Sequence, residues 1–175
     1  MPLDDNATRA WLTKPSDRFV LKWIKCHLSA PITPRLTAYA WLRPWMITTC
    51  SMIAGMLAGV VFSCGWGLAA GLIAAISQIL DGVDGQFARL TGRQSKAGAF
   101  LDSVLDRYSD GALVIGLTLY CARLEIPLAL VGGLGALALI GSGLISYSSA
   151  RAESLGLALG RPTLASKGTR TTVTA

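Results

Sequence analysis

Four aspartates in the stretch DGVDGQFARLTGRQSKAGAFLDSVLD, residues 81–106, are the side chains of this sequence best suited to chemistry. Asp81 and Asp84 are three positions apart, and their spacing projects both from one face of a helix. Asp102 and Asp106 are four positions apart and share a helix face in the same way. Charged groups at a bilayer centre cost about 2.5–3.5 kcal/mol each, so these acids need a partner that offsets their desolvation.

A divalent cation is the partner that best explains converging carboxylates, which would otherwise repel one another and take up protons. Ligation by oxygen alone, with no His or Cys in this stretch, favours Mg²⁺ or Mn²⁺ over zinc. Such ions commonly serve phosphate chemistry, because they keep positions open for substrate oxygens. Gly82, Gly85 and Gly98 are expected to leave room for a bulky ligand. The alternative is a structural network in which the acids cap helices or pair with nearby arginines.

The elements that carry these acids are apolar enough for a membrane. The 175 residues are 52% hydrophobic and only 15% charged, and the mean hydropathy is +0.50. Four segments, 45–64, 66–90, 98–122 and 126–150, reach the length of about 20 residues that crosses a bilayer. We therefore predict an all-α, polytopic membrane helix bundle in which the second and third spans form a hairpin that brings the acidic pairs together.

The basic residues predict how this bundle is oriented. The net charge is +6, and Lys and Arg concentrate before the first span, between the second and third, and after the fourth. By the positive-inside rule, both termini and the acidic site are expected on the cytoplasmic side. Trp41, Arg43 and Trp45 are expected to anchor the first span at headgroup level. In so apolar a chain, basic surfaces indicate anionic headgroups or a phosphorylated substrate and not nucleic acid.

Three regions are predicted along the chain. Residues 1–40 form a polar start and an interfacial amphipathic helix, because apolar residues recur at helical spacing within 16–28 while Lys22 and Lys25 take the other side. Residues 41–155 form the transmembrane catalytic core. Residues 156–175 form a cytoplasmic tail.

Two glycine pairs of the GxxxG type lie in the first and second spans: Gly55 with Gly59, and Gly67 with Gly71. Such pairs let helix backbones approach closely. Because they arise easily in segments rich in glycine and alanine, packing within one chain is the simpler interpretation, and a homodimer is the alternative.

The acidic stretch resembles the signature of the CDP-alcohol phosphotransferases, D-x2-D-G-x2-A-R-x8-G-x3-D-x3-D. Every fixed position is matched by a residue of this sequence: Asp81, Asp84, Gly85, Ala88, Arg89, Gly98, Asp102 and Asp106. Eight fixed residues over 26 positions make a specific signal. The resemblance implies transfer of a substituted phosphate group from a CDP-linked donor, such as CDP-diacylglycerol, to an alcohol. CMP is released, and the process belongs to phospholipid biosynthesis.

The same resemblance implies a role for each signature residue. Asp81, Asp84 and Asp102 would hold Mg²⁺ or Mn²⁺, and Asp106 would be a ligand or the general base that takes the proton of the acceptor hydroxyl. The cytidine diphosphate pocket would be lined by the remaining four residues: Gly85, Ala88, Arg89 and Gly98. Asp110, one turn further on, is interpreted as an acid that packs nearby and not as a ligand.

The acceptor is indicated by SYSSARAESLG, residues 146–156, which resembles the end of the fourth span in members that use glycerol phosphate or inositol phosphate. Arg151 is then expected to bind the acceptor phosphate, since a guanidinium suits that role. Lys167 and Arg170 are further candidates, with a purely topological role as their alternative. Ser149 stands where such members often carry a second basic residue.

Members of this family generally have six spans, so four of six are expected here, and we interpret the sequence as a fragment. Two other functions compete with the transferase. An Asp-rich membrane prenyltransferase also binds a diphosphate through Mg²⁺, and a membrane ion-binding or transport protein also carries intramembrane acids. The clustering of the acids near one end of the spans favours the transferase over a transport pathway.

Overall fold

The computed structural model describes residues 11–13 and 19–157, and that part of the chain contains helices and turns but no strand. The prediction of an all-α membrane bundle is therefore confirmed. Six α-helices lie within the described residues: α1 Phe19–Ile24, α2 Thr33–Leu36, α3 Pro44–Ser63, α4 Gly67–Leu90, α5 Lys96–Cys121 and α6 Leu128–Ser154. A π-helical turn, Lys25–Ser29, continues α1.

Three of the long helices, α3, α4 and α6, are long and apolar enough to cross a membrane. Helix α5 has 26 residues and therefore the length of a span. It is less apolar because it carries five charged residues: Lys96, Asp102, Asp106, Arg107 and Asp110. The third of the four predicted spans thus has the expected length but is less apolar than expected, because it carries two of the four signature aspartates.

Local sequence features begin and end the helices that carry the acids. Gly92 follows α4 with a φ of +64°, a left-handed conformation that glycine adopts without steric cost. Ser95 then caps α5, because its Oγ accepts a hydrogen bond of 2.9 Å from the Gly98 N–H. These two residues close the hairpin between α4 and α5 within a few positions.

Helix α3 packs against both arms of this hairpin through small residues. Ser51 on α3 and Ser77 on α4 donate to each other's backbone carbonyls, at 2.9 and 2.8 Å. A side chain on Gly59 would overlap the backbone of Ala112 on α5, and one on Gly116 would overlap the backbone of Gly59. The backbones of α3 and α5 therefore touch here. Gly59 serves packing within one chain, and the homodimer stays a prediction.

Gly116→Ala is expected to destabilise the protein, because the added methyl group would displace the backbone at Gly59. Overpacking of this kind typically costs about 1–3 kcal/mol. Gly132→Ala on α6 is the matched control, because a Cβ there meets no atom within 4 Å. The unfolding temperatures of the detergent-solubilised variants measure the difference. A Gly116→Ala variant as stable as Gly132→Ala would contradict the close contact of α3 and α5.

The segment before α3 lies across α4. The Ser29 hydroxyl donates to the Ile79 carbonyl at 3.0 Å, and Lys25 is buried beside Gly82. The burial of Lys25 differs from the predicted amphipathic pattern, which puts this residue on the polar side of the helix. The π-helical turn explains the difference, since its wider winding rotates the residues that follow α1 relative to an α-helical pattern.

Candidate metal and nucleotide site

Three of the predicted metal ligands come together where the arms of the hairpin face each other. Asp81 lies in α4, and Asp102 and Asp106 lie on successive turns of α5. One carboxylate oxygen from each of the three lies within 4.8 Å of the other two. All three side chains are half-buried. This arrangement offers a divalent ion three oxygen ligands from two helices, as the sequence predicted.

Asp84, the fourth signature aspartate, is the most buried of the set, with 5% of its surface exposed. Its Oδ2 has no hydrogen-bond partner among the described residues. The carboxylates of Asp81, Asp102 and Asp106 are all close enough to repel it. A buried carboxylate oxygen without a hydrogen bond, next to three further acids, suits a metal ligand and is costly without one.

A cavity of about 850 Å³ opens beside these acids, and Asp84 and Asp102 form part of its wall. Its volume falls in the range of about 300–1,000 Å³ that is usual for ligand sites. All four residues expected around cytidine diphosphate line it: Gly85, Ala88, Arg89 and Gly98. The structure therefore brings every signature residue either to the acidic cluster or to the cavity that adjoins it.

The beginning of α3 forms another wall of this cavity, with Arg43, Trp45 and Thr48. The sequence pattern assigns the first two to an anchor at headgroup level and gives no role to Thr48. With Arg93 and Lys96 also in the lining, several cations surround a space next to the acids. Such a surface suits a diphosphate. The spacing of the signature contains no signal for the α3 residues, because only the packing of α3 on the hairpin brings them there.

A model of the CDP-alcohol phosphatidyltransferase family matches residues 41–166. The chain belongs to this family. The family resemblance seen in the acidic stretch is thereby confirmed, and the match extends from the cavity wall on α3 beyond the end of α6.

Relatives in this family include inositol phosphate lipid synthases. The chain is 37% identical over 133 residues to the archaetidylinositol phosphate synthase of Pyrococcus horikoshii, covering 74% of this chain and 65% of that protein. It is 33% identical over 142 residues to the phosphatidylinositol phosphate synthase of Cutibacterium acnes, covering 81% of this chain and 67% of that protein. The chain thus spans about two thirds of the length of these two relatives.

Two crystal structures of Mycobacterium tuberculosis phosphatidylinositol phosphate synthase (PgsA1) share the fold. The structure with CDP-DAG bound has a TM-score of 0.71 and 30% identity, covering 82% of this chain and 71% of that chain. The structure in complex with manganese and citrate has a TM-score of 0.65 and 29% identity, covering 74% and 61% of the two chains.

The glycines of the acidic stretch differ in what they do. Gly85 and Gly98 line the cavity, and the clearance that they would give a ligand stays a prediction. At Gly82 a Cβ would instead lie 2.5 Å from the Ser29 hydroxyl and 3.3 Å from Cγ of Lys25. Gly82 therefore allows the π-helical turn to approach α4, and the expected room for a ligand is filled by protein.

The predicted acceptor residues are not gathered at the acidic cluster. Arg151 is exposed in the last turn of α6 and lines neither the 850 Å³ cavity nor a second cavity of about 520 Å³ between α5 and α6. Asp110 lines that second cavity, consistent with its interpretation as an acid outside the ligand set. Lys167 and Arg170 lie outside the described residues.

Proposed function

We propose that the chain carries the catalytic core of a metal-dependent CDP-alcohol phosphotransferase of phospholipid biosynthesis. The observation that carries this proposal is the junction of an acidic cluster with a cavity lined by the other signature residues. Bound CDP-DAG in a structure of the same fold supports a CDP-linked lipid as the donor. Family membership disfavours the prenyltransferase and the transport protein.

Asp81, Asp84, Asp102 and Asp106 would hold Mg²⁺ or Mn²⁺. When bound, such an ion neutralises the charge on the phosphoryl oxygens of the donor. Manganese in the second PgsA1 structure supports a divalent metal in this fold. The Asp84 oxygen that lacks a hydrogen bond supports its place among the ligands.

The diphosphate of the donor would bind to Arg89 in the cavity, where Gly85, Ala88 and Gly98 leave the backbone accessible. Asp106 would then accept the proton of the acceptor hydroxyl. As that proton leaves, the hydroxyl oxygen forms a bond to the phosphorus nearest the lipid. The bond from this phosphorus to the oxygen it shares with the CMP phosphate breaks, and CMP departs with that oxygen.

For the acceptor we propose inositol phosphate, with glycerol phosphate as the alternative, because several relatives are named inositol phosphate lipid synthases. Arg151 is the proposed contact for the acceptor phosphate, with Lys167 and Arg170 as further candidates. The enzyme would act on the cytoplasmic side of the membrane, where the positive-inside rule puts the basic cavity wall. Residues 41–155 would form the catalytic core.

The proposed function is tested by CMP release from CDP-diacylglycerol by the purified, detergent-solubilised chain. Reactions contain Mg²⁺ or Mn²⁺ and one alcohol at a time: inositol phosphate, glycerol phosphate or free inositol. We expect release that depends on both the metal and a phosphorylated alcohol. Release that persists after chelation, or no release with any of the alcohols, would contradict the proposal.

Arg151→Ala is expected to raise the KM for inositol phosphate by about tenfold and to leave the KM for CDP-diacylglycerol unchanged. The reason is the loss of one charge-assisted hydrogen bond to phosphate, which is worth about 1.5–3 kcal/mol. Glu153→Gln is the control, because it changes a charge in the same last turn of α6. Equal KM values in parent and Arg151→Ala would assign this arginine to membrane orientation alone.

A further inference from the structure

The N-terminal strap, which we define as residues 11–13, lies against the part of α4 that carries the first half of the signature. Two side chains of α4 hold it. Arg89 donates from Nε to the Trp11 carbonyl at 2.8 Å, and Gln86 donates from Nε2 to the Leu12 carbonyl at 3.0 Å. Because these side chains are three positions apart, they form neighbouring anchors on one helix face. The strap therefore contacts α4 at an arginine of the cavity wall.

Gln86 is fully buried, and both N–H groups of its amide are used. Nε2 donates a second hydrogen bond, of 2.9 Å, to the Lys25 carbonyl, while Oε1 accepts one of 2.8 Å from the Thr33 hydroxyl. Two donated bonds and one accepted bond match an amide group. A carboxylate cannot donate to the two carbonyls, and an apolar side chain would lose both bonds, leaving the Lys25 carbonyl with its bond from the Ala30 N–H. Gln86 thus ties the strap to the segment before α3.

Arg89 is oriented by this arrangement. A guanidinium is planar and has five N–H groups, of which one is on Nε and four are on the terminal nitrogens. The bond from Nε to the Trp11 carbonyl fixes the plane of the group while the side chain lines the cavity. An arginine held in this way loses little further rotamer freedom when it binds an anion.

We propose that Gln86 is a positioning residue for nucleotide binding. It holds the strap, whose Trp11 carbonyl orients the Arg89 guanidinium toward the diphosphate of a cytidine nucleotide. This inference rests on the proposed function, because it takes Arg89 as the group that binds diphosphate. Gln86 occupies a variable position of the signature, so the signature itself assigns it no role.

The test measures CDP binding to the full chain in detergent with Mn²⁺, by titration calorimetry. Gln86→Met keeps the side-chain length and removes both donors, and we expect the Kd for CDP to rise by about tenfold. Arg89→Lys should also weaken binding, because lysine lacks the planar fork. In the Arg89→Lys background, adding Gln86→Met should change the Kd by less than about twofold, because the group that Gln86 positions is already gone.

Ser77→Ala is the matched control for a purely structural effect. It removes a buried hydrogen bond between α4 and α3, of 2.8 Å, at a residue that does not line the cavity. We expect it to lower the unfolding temperature and to leave the Kd for CDP unchanged. A Gln86→Met variant that behaves in the same way would overturn the inference.

A second variant, Leu12→Pro, tests the strap without altering α4 and decides the matter if Gln86→Met does not fold. Proline at position 12 disfavours the turn conformation at Trp11 and so displaces its carbonyl from Arg89. It should weaken CDP binding by about tenfold as well. An unchanged Kd for CDP in a folded Leu12→Pro variant would refute the inference. The inference would also be refuted if Gln86→Met raised the Kd by the same factor with and without Arg89→Lys. Either result would leave the proposed function standing. A parent protein that does not bind CDP would refute both.

Discussion

Asp106→Asn is expected to lower the rate of CMP release by about a thousandfold in a protein that remains folded. The amide keeps the size of the side chain but has neither the charge of a metal ligand nor the capacity to take up the acceptor proton. A positioned general base alone contributes about 10²–10⁴-fold to a rate. The measurement is the initial rate of CMP release from CDP-diacylglycerol with Mn²⁺ and saturating inositol phosphate.

Asp110→Asn is the matched control for that experiment. It makes the same chemical change one helical turn further along α5, at an acid that lines the second cavity. We expect this variant to retain most of the parent rate. If the two variants lose activity to the same extent, the assignment of the base to Asp106 is wrong. If Asp106→Asn retains the parent rate, the site works without this carboxylate.

Asp84→Asn is expected to make the protein more stable than the parent without metal and less stable than the parent with metal. Without metal, the substitution removes a buried carboxyl group that desolvation and three other acids force to take up a proton at a cost in stability, so the unfolding temperature should rise. With metal, the parent should gain about 2.7 kcal/mol when the ion is at a hundred times its Kd. The variant should gain much less, because it has lost a charged ligand. Thermal unfolding with chelator and with excess Mn²⁺ measures both effects.

The contrast between the two conditions makes this experiment specific. A merely structural Asp84 would give a variant that is destabilised equally with chelator and with Mn²⁺. Asp110→Asn should respond to Mn²⁺ as the parent does, since its carboxylate lies outside the acidic cluster. A parent protein whose unfolding temperature does not respond to Mn²⁺ or Mg²⁺ would contradict the metal site as a whole.

The acidic cluster was predictable because its geometry is local. Spacings of three and four within each helix define the two acidic faces, and a short turn with Gly92 and Ser95 forces the helices into a hairpin. The sequence therefore indicated that Asp81 meets Asp102 without any knowledge of the rest of the bundle. The position of the other signature residues next to the acids was predictable for the same reason, since they lie on the same two helices.

Contacts between distant segments were not predictable in this way. The Leu12 and Trp11 carbonyls that hold Gln86 and Arg89 are backbone groups, and every residue offers one. Burial of Lys25 depends on the π-helical turn, which has no signature that the sequence pattern revealed. Arg43 reaches the cavity only because α3 packs on the hairpin. The surface that would contact a nucleotide thus includes residues outside the signature.

The glycine contact between α3 and α5 also governs chemistry. Gly116 is ten positions beyond Asp106, or about 15 Å along the helix at 1.5 Å per residue. A bulkier residue at Gly116 would push α5 away from α3. Because a helix is stiff, Asp102 and Asp106 would then move relative to Asp81. Catalysis would then fail in a protein whose ligands are all intact. The precision of the acidic cluster depends on two residues, Gly59 and Gly116, that have no side chain to contribute.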